Sequence, residues 1–445
     1  MKGGRNKAGT SNERGEMFST ELSMRCRCSH PSLKVALLGS HLAHWAGGND
    51  FLRLCAGGLW QKQLSLQVTF SLFLAGETSI EAIRRHLGPW KHLAGRLLKF
   101  EKPRLIKRPP LRIEQVIDSV SSFGGRLHAT GYRNQGGSYR GLIRILEQQS
   151  YDAILPFAVS PGRFPLPWVG YIPDLQHKHH PEFFSGNECA DRDLQFTKLL
   201  RDAKAIVVNS RDAKRDIGHF YPGYDCAIFN LPFAPVLNPE WLAEPFQQTV
   251  SRYRLPERYF LISNQFWVHK SHATAFEALS RLDGGHSDVA IVCTGSTADY
   301  RHPEYFGTLE RRIRDLGLRS RILILGRVPK HEQIQIMRAS VAVIQPTLFE
   351  GGPGGFAVYD AVCTGTPVIL SDIPINREVE IGDASVQFFP PGCADDLAET
   401  MRMALKRRSQ PSGNEELRRR SDRRAERLGS RLLEAIEYAY KAAIT

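Results

Sequence analysis

The segment from Glu350 to Gly355 combines a carboxylate with several glycines, directly after a predicted strand and before a predicted helix. Glycine lets the backbone approach a ligand closely, and the amides at a helix N-terminus attract anions. These amides could therefore hold a diphosphate, while Glu350 could accept hydrogen bonds from sugar hydroxyls in the same loop. The glycines concerned are Gly351, Gly352, Gly354 and Gly355.

Two other phosphate-binding loops do not fit this segment. It lacks the Gly-Lys-Ser/Thr ending of a Walker loop, and it lies too late in the chain for a dinucleotide-binding loop, which opens the first βαβ unit. The sequence therefore excludes P-loop kinases and Rossmann dehydrogenases. For the loop taken by itself, a tight strand-to-helix connection with incidental glycines remains the alternative explanation.

A cationic loop lies earlier, within the strand, loop and helix predicted from Tyr259 to Leu279. It carries His269 and Lys270, next to Trp267, which we expect to pack rather than to bind. A leaving nucleoside diphosphate gains negative charge as its bond to the sugar breaks, and a fixed cation stabilises that transition state. Lys270 is therefore a candidate for catalysis, and a solvated surface lysine is the alternative.

Short runs rich in Val, Ile and Leu alternate with helical patterns, which is typical of parallel strands covered by crossover helices. The predicted class is α/β, with two doubly wound, Rossmann-like sheets. We predict strands at residues 35–39, 153–159, 168–174 and 205–210, and then at 259–264, 289–295, 322–328, 341–347 and 366–372. Ligands of such sheets bind beyond the carboxyl ends of the strands, so these loops should line one interdomain cleft.

The chain of 445 residues is longer than a single hydrophobic core supports, which predicts two domains. A proline-bearing stretch without periodicity, at about residues 231–258, separates them. We divide the chain into a disordered leader (1–31), a first Rossmann-like domain (32–240), a second Rossmann-like domain (250–410) and an exposed basic helix (411–445). The apolar run from Val68 to Gly76 is too short to span a membrane.

The net charge of +13 indicates an anionic partner without saying which. The eight cysteines are scattered through apparent strands and helices, which favours reduced, cytosolic thiols. Cys26, Cys28 and His30 lack a second pair of ligands, so we predict no metal there.

Four polar side chains crowd the end of a predicted first-domain strand: Asp174, His177, His179 and His180. A metal site would need further ligands, so hydrogen bonding to hydroxyls or phosphate is the favoured interpretation. A neutral imidazole can orient an acceptor hydroxyl or take its proton. A structural histidine cluster is the alternative.

Over residues 34–407 the sequence resembles the retaining glycosyltransferases of family four, which have the GT-B fold. The resemblance rests on Glu350 with its glycines, on Lys270, and on Asp360 ahead of an alanine. It implies that Glu350 contacts the donor sugar and Asp360 the ribose, while the glycine amides face the diphosphate. Nine residues separate Glu350 from Asp360, more than the family pattern has, and Gln265 stands where the family usually has an arginine.

The same resemblance implies further roles at the ends of strands. Gly295 would contact phosphate, Arg327 the nucleobase, and Gly47 and Gly48 would let acceptor and donor phosphate approach. The run around His177 is also similar to that of a subgroup of these enzymes, which implies that His177 touches the donor sugar or the reacting oxygen. The family resemblance implies as well that the first domain lies on the acceptor side and that the second binds the nucleotide-sugar. The implied reaction is retaining and metal-independent hexosyl transfer in surface polysaccharide or glycolipid assembly. It needs a nucleotide-sugar as co-substrate and no bound cofactor.

Residues 84–112 carry ten cations against a single acid, with aromatic and aliphatic residues between them. Such a segment gains roughly 1 kcal/mol per cation near an anionic membrane. We expect a cytoplasmic protein that this segment could hold at the inner face of the membrane, with a glycan or lipid-linked acceptor. A merely solvated face is the alternative, and no nucleic-acid-binding motif is present. The alternative function is a catalytically silent GT-B scaffold or anionic-surface binding module.

Overall fold

The computed structural model describes residues 33–40, 42, 46–65, 68–76, 130–133, 139–243, 245–282, 285–380, 385–406 and 413–444. Two parallel sheets with helices packed against them fill these ranges, which confirms the predicted α/β class with two doubly wound domains. The basic segment 84–112, the leader, Cys26, Cys28 and His30 lie outside the described residues.

The first sheet has seven parallel strands in the order β3-β2-β1-β4-β5-β6-β7. They are β1 Leu33–Leu38, β2 Val68–Gly76, β3 Thr130–Arg133, β4 Ala153–Phe157, β5 Trp168–Tyr171, β6 Ala205–Val208 and β7 Ala227–Asn230. Four match the predicted runs, and the apolar run at Val68 is a strand beside β1. The strand order reverses direction between β1 and β4, where doubly wound sheets bind ligands.

The helices described beside this sheet include α1 Ala46–Ser65, α2 Arg140–Gln148, α3 Gln176–His179, α4 Gly186–Asp202 and α5 Arg211–Phe220. Local sequence explains two of their starts. Ser185 and Glu188 form a reciprocal capping box before α4, which satisfies amide groups that the first turn leaves free. The hydroxyl of Ser210 accepts from the Ala213 amide at 3.0 Å at the start of α5.

The second sheet has six parallel strands in the order β10-β9-β8-β11-β12-β13. They are β8 Tyr259–Ser263, β9 Ala290–Thr294, β10 Ile322–Gly326, β11 Val343–Gln345, β12 Val368–Ser371 and β13 Val386–Phe389. The first five match the predicted runs. Its helices are α6 Gln247–Tyr253, α7 His272–Ser280, α8 Tyr305–Asp315, α9 Lys330–Ala339, α10 Gly355–Cys363 and α11 Ala394–Lys406. The switch point lies between β8 and β11.

The last helix, α12 Asn414–Ile444, returns to the first domain and packs along α1. The two helices touch at glycines, because a Cβ on Gly429 would lie 2.2 Å from the Gly58 carbonyl oxygen. Leu428, Leu432 and Ile436 are buried in this contact. The sequence analysis predicts an exposed basic helix here. The prediction of exposure is wrong for the face that carries Leu428, Leu432 and Ile436, because these apolar residues pack on α1.

Candidate functional site

Lys270 and Glu350 meet at the switch point of the second sheet. Lys270 ends a short 3-10 turn after β8, and Glu350 lies in the loop after the neighbouring strand β11. The Lys270 ammonium donates to Glu350 Oε1. Both side chains are largely buried. The structure therefore brings together the two residues that the sequence singled out for sugar and diphosphate.

A chain of buried amides fixes the Glu350 carboxylate. Gln345, the last residue of β11, donates from Nε2 to Glu350 Oε1 at 2.6 Å. Its Oε1 accepts from Asn264 Nδ2, also at 2.6 Å. Because Asn264 follows β8, the chain spans both strands of the switch point. The sequence analysis did not identify Gln345 and Asn264 as site residues. The pattern that could have identified them is a polar residue at the end of each of two apolar strands.

The backbone also ties the two loops together. The carbonyl of His269 accepts from the Leu348 amide at 2.8 Å and from Thr347 Oγ1 at 3.2 Å. Burial is the main cause that lowers the pKa of His269 well below its usual value, and the Lys270 charge adds to it. The His269 ring is therefore neutral at physiological pH, which leaves Lys270 as the charged group of this turn.

Two glycines of the segment shape the start of α10. Gly354 and Gly355 both have positive φ, at 67° and 68°, a region that glycine enters without strain. A Cβ on Gly355 would lie 2.9 Å from Glu350 Oε2, so this glycine makes room for the carboxylate. The Gly354 amide donates to Asn376 Oδ1 and the Gly355 amide to the Gly352 carbonyl. In this structure these two amides are thus engaged, against the expectation that they face a diphosphate.

The other two glycines lie against the first domain. A Cβ on Gly351 would lie 2.4 Å from the Pro173 carbonyl oxygen, and one on Gly352 would lie 3.1 Å from Asn209 Cβ. Pro173 and Asn209 follow the first-domain strands β5 and β6. Gly351 and Gly352 therefore allow the loops of the two domains to touch, a role that the sequence analysis did not assign to them.

Asp360, the expected ribose ligand, is fully buried in α10. Its Oδ1 accepts from Arg53 Nη2 at 3.1 Å, and its Oδ2 accepts from Lys330 Nζ at 2.5 Å. Arg53 belongs to α1 of the first domain, so this is an ion pair between domains. Both carboxylate oxygens are engaged, which leaves neither free for a ribose in this conformation. The position of Lys330 and Arg53 was not expected from the sequence.

His177, the histidine selected for the reacting centre, is 2% exposed and lies inside the first domain. Its Nε2 is 3.0 Å from Asp193 Oδ1 and 3.2 Å from the Tyr221 hydroxyl, and its Nδ1 accepts from Arg192 Nε at 3.2 Å. Burial lowers the pKa of His177, with Asp193 opposing the shift. Both ring nitrogens are occupied, so the structure corrects the selection: this histidine braces α3 against α4.

The neighbouring histidines lie at the cleft instead. The ring of His179 is 5.6 Å from that of Phe349, and the ring of His180 is 6.0 Å from it. Each is oriented by a carboxylate, His179 by Asp216 at 2.7 Å and His180 by Glu182 at 2.9 Å. Since α3 has a single turn, it directs His177 inward and these two toward the second domain.

The remaining predicted residues lie at strand ends. Gly295, after β9, has φ 132°, and a Cβ there would lie 2.0 Å from the Asn264 carbonyl oxygen, so it packs directly on the loop after β8. Gln265 lies in that loop and is half-buried. Arg327 is exposed beyond the edge strand β10.

The glycine pair after β1 lies elsewhere than expected. Gly47 and Gly48 belong to the first turn of α1, not to a loop before it. A Cβ on Gly48 would lie 2.4 Å from the Leu42 carbonyl oxygen, so this glycine lets the helix start against the backbone that precedes it.

Within the described ranges, no group of three or more His, Cys, Asp or Glu side chains is placed to hold a metal ion. Among the helices in the same ranges, none combines the length and the apolar character needed to cross a membrane.

Comparison with known structures identifies the fold. The chain is similar to sucrose-phosphate synthase from Thermosynechococcus elongatus, with 14% identity, a TM-score of 0.56, and coverage of 93% of this chain and 96% of that one. It is also similar to Alr3699/HepE from Anabaena, solved with UDP and glucose, with 13% identity, a TM-score of 0.53, and coverage of 92% and 98%. Two facing doubly wound domains with a terminal helix that returns to the first define a GT-B fold.

Comparison with known sequences identifies the family of the second domain. Residues 245–437 match the family described as Glycosyl transferases group 1. A curated relative, the O-antigen chain mannosyltransferase RfbU from Salmonella typhimurium, is 30% identical over 123 residues. That stretch spans 28% of this chain and 32% of the relative.

Proposed function

We propose that this protein is a glycosyltransferase that moves a sugar from a nucleotide-diphosphate-sugar to an acceptor hydroxyl in the assembly of a surface polysaccharide or glycolipid. The observation that carries the proposal is the pairing of Lys270 with Glu350 at the switch point of a group 1 domain. The named role of the relative in O-antigen supports the choice of polysaccharide assembly.

The pair suits this chemistry because its two groups serve different parts of the donor. The ammonium of Lys270 has three donors, so it can bind a phosphate oxygen while it still holds Glu350. It would stabilise the charge that the leaving diphosphate develops. Glu350, held by Gln345, has a second oxygen that can accept from a sugar hydroxyl. Glu350 then positions the donor and does not attack it.

We further propose that transfer retains the anomeric configuration and needs no metal. In this mechanism the departing phosphate helps to deprotonate the acceptor on the same face of the sugar, so the protein provides no covalent nucleophile. NMR spectroscopy of the product's anomeric proton tests retention, since an inverted product contradicts it. Loss of activity with a chelator, recovered by adding Mg²⁺ or Mn²⁺, contradicts metal independence.

The central test is transfer or hydrolysis with a panel of UDP-, GDP- and dTDP-sugars that includes mannosyl and glucosyl donors. For the donor that is used, Glu350→Gln and Lys270→Ala should each lower kcat/KM by about 100-fold or more, because each removes a group that acts on the transition state. Glu277→Gln is the matched control, since Glu277 pairs with Arg312 on the surface of the same domain. Undiminished activity in both site variants would contradict the role that we assign to Lys270 and Glu350.

The second candidate is a catalytically silent GT-B scaffold or binder of anionic surfaces. It is favoured by Gln265 in place of the family's arginine and by the engagement of Asp360 with Arg53 and Lys330. Thermal-shift measurement separates the two functions. An enzyme should be stabilised by about 2.7 kcal/mol when a nucleoside diphosphate is present at 100 times its Kd, whereas the silent scaffold should respond to no nucleotide.

We also propose that the protein is cytoplasmic and that residues 84–112 attach it to an anionic membrane that carries a lipid-linked acceptor. The support is their excess of cations with apolar residues between them. Co-sedimentation with vesicles tests this. Binding should increase with the fraction of anionic lipid, fall with salt, and disappear when Lys and Arg in this segment are replaced by Gln. Equal binding to neutral vesicles contradicts the proposal.

A further inference from the structure

Gln265 leaves the loop after β8 with one cation fewer than the family pattern has. The loop after the adjacent strand β9 brings another cation to the same place. It runs from Gly295 to His302 and contains Arg301. Backbone and aromatic contacts hold this loop against the loop after β8, so the fold fixes the position of Arg301.

Three features hold the two loops together. Gly295 lies in van der Waals contact with the backbone of Asn264, where any Cβ would clash. The Phe266 amide donates to the Ser296 carbonyl at 2.9 Å. The ring of Phe266 also lies 5.3 Å from that of Phe306, edge to face, which anchors the far end of the β9 loop.

The Arg301 guanidinium lies over two aromatic rings. Its Cζ is 4.5 Å from the centroid of Trp267, in the β8 loop, and 4.6 Å from that of Phe184, in the first domain. Its side chain is only 4% exposed. Contacts of this kind use the charge and the plane of the guanidinium and leave its in-plane N–H donors for another partner.

Those donors are not fully used within the described residues. Arg301 Nε is buried without a hydrogen-bond partner, and the nearest carboxylate oxygen, Asp299 Oδ1, is 3.8 Å away. Asp299 offsets part of the charge, and its own Oδ2 is buried without a partner as well. A buried arginine donor without an acceptor is costly in free energy, so a ligand that supplied the acceptor would stabilise this arrangement.

Two further polar atoms in this corner, His269 Nδ1 and His302 Nε2, are also buried without a hydrogen-bond partner within the described residues. His269 adjoins Lys270 in sequence, and its ring is 5.5 Å from that of Trp267, so Trp267 connects the surroundings of Lys270 and Arg301. The charges of Lys270 and Arg301 both help burial to lower the pKa of His269. This corner therefore holds the charges of Lys270 and Arg301 next to polar atoms that have no hydrogen-bond partner within the described residues.

We propose that Arg301 supplies the second cation for the donor diphosphate, in place of the arginine that the family pattern has at the position of Gln265. The proposal rests on the proposed function and adds a residue to its site. An arginine fork binds phosphate oxygens through two parallel hydrogen bonds. Lys270 and Arg301, from the ends of adjacent strands, would then hold the diphosphate between them.

The test is the affinity of the full chain for nucleoside diphosphates and for the corresponding monophosphates, measured by isothermal titration calorimetry with the uridine, guanosine and thymidine compounds. Arg301→Gln should weaken diphosphate binding by about 10- to 100-fold, the range for a charged hydrogen bond, and change monophosphate binding by less than about 3-fold. Adding Gln265→Arg to Arg301→Gln should restore diphosphate binding. Arg312→Gln, on the surface of the same domain, should bind as the unmodified chain does.

The melting temperature of each variant shows whether it is folded, and Arg301→Lys provides a variant that keeps the charge and loses the fork. Equal diphosphate affinity in Arg301→Gln and the unmodified chain overturns the proposal, as does an equal loss for mono- and diphosphates. A double variant as weak as Arg301→Gln contradicts the equivalence of the two positions. If the unmodified chain binds no nucleoside diphosphate, the proposed function fails together with this inference.

Discussion

Arg53 of the first domain donates from Nη2 to Oδ1 of Asp360 in the second, at 3.1 Å, and from Nη1 to the Val236 carbonyl in the connecting segment, at 2.6 Å. Lys330 binds the other oxygen of Asp360. The Arg53 guanidinium also lies 4.7 Å from the ring centroid of Trp241. The Arg53–Asp360 pair thus joins both domains, and Arg53 also binds the chain between them, so the charge of Asp360 is part of how the cleft is assembled.

The Asp360 carboxylate should therefore be needed for stability as well as for any contact with the ribose. In Asp360→Asn the two cations lose their buried counter-charge, and breaking a buried pair costs about 3 kcal/mol. The urea midpoint, followed by tryptophan fluorescence, should fall accordingly. Asp372→Asn removes an exposed pair with Arg377 and should change the midpoint little. Equal effects of the two substitutions would show that the buried pair contributes nothing.

Gly351 should control how closely the domains approach. In Gly351→Ala the new Cβ would meet the Pro173 carbonyl, which is backbone and cannot rotate away. We expect kcat to fall by roughly 100-fold, because small misplacements of reacting groups cost that much, while nucleotide affinity changes much less. Small-angle scattering should show a more open shape.

Gly218→Ala is the matched control for this substitution. Gly218 lies in α5 with open space where a Cβ would be. Alanine is favoured over glycine in a helix by about 0.5–1 kcal/mol, so activity should be kept and stability should rise slightly. Full activity in Gly351→Ala would contradict the prediction that the close contact with Pro173 is needed for catalysis.

His272 should make the fold sensitive to acid. Complete burial lowers its pKa to about 3 from the usual 6.5. The unfolded chain therefore binds a proton at this histidine more readily than the folded chain does. The contribution of His272 to the free energy of unfolding is fully present above pH 6.5 and falls as the pH is lowered. The slope is roughly 1.4 kcal/mol per pH unit. His177 and His269 are shifted in the same direction and add to it.

His272→Phe tests this prediction. The ring of His272 stacks on Phe266 at 4.2 Å, and neither ring nitrogen has a hydrogen-bond partner within the described residues. Phenylalanine can keep the stacking without the buried polar atoms. The dependence of the urea midpoint on pH, measured from about pH 5 to 7, should become shallower. His219→Gln, at an exposed position, should leave it unchanged, and the same slope in both variants contradicts the prediction.

Glu378 should stabilise the contact between the second domain and α5. Its carboxylate accepts from the Arg211 amide at 2.9 Å and from the Asp212 amide at 2.8 Å, where the helix N-terminus favours negative charge. Glu378→Gln keeps an acceptor and loses the charge, so the urea midpoint should fall by the equivalent of about 0.5–1 kcal/mol. Glu399→Gln, an exposed pair within α11, is the control. A larger loss in the control would contradict this role.

The local sequence predicted the strands that are central to each sheet. The runs that became β8, β9 and β11 are continuous, apolar and bounded by turn residues, because both faces of such strands are covered by helices. Among the edge strands of the two sheets, β10 was predicted, whereas β3, β7 and β13 were missed. β7 and β13 are mostly half-buried, so they lack the continuous apolar pattern, and the β2 run was considered only as a membrane segment.

The sequence by itself determined the α/β class and the placement of Lys270 and Glu350 after strands, because loops after parallel strands lie along one edge of the sheet. Only the tertiary structure decided the rest. His177 is buried inside the first domain, Asp360 pairs with Arg53, and Gly351 lies against the Pro173 carbonyl. The last two contacts join residues that are far apart in the chain. Strand periodicity is a local property of the sequence. Which group pairs with a buried charge, and which backbone segments touch, depends on how the domains pack.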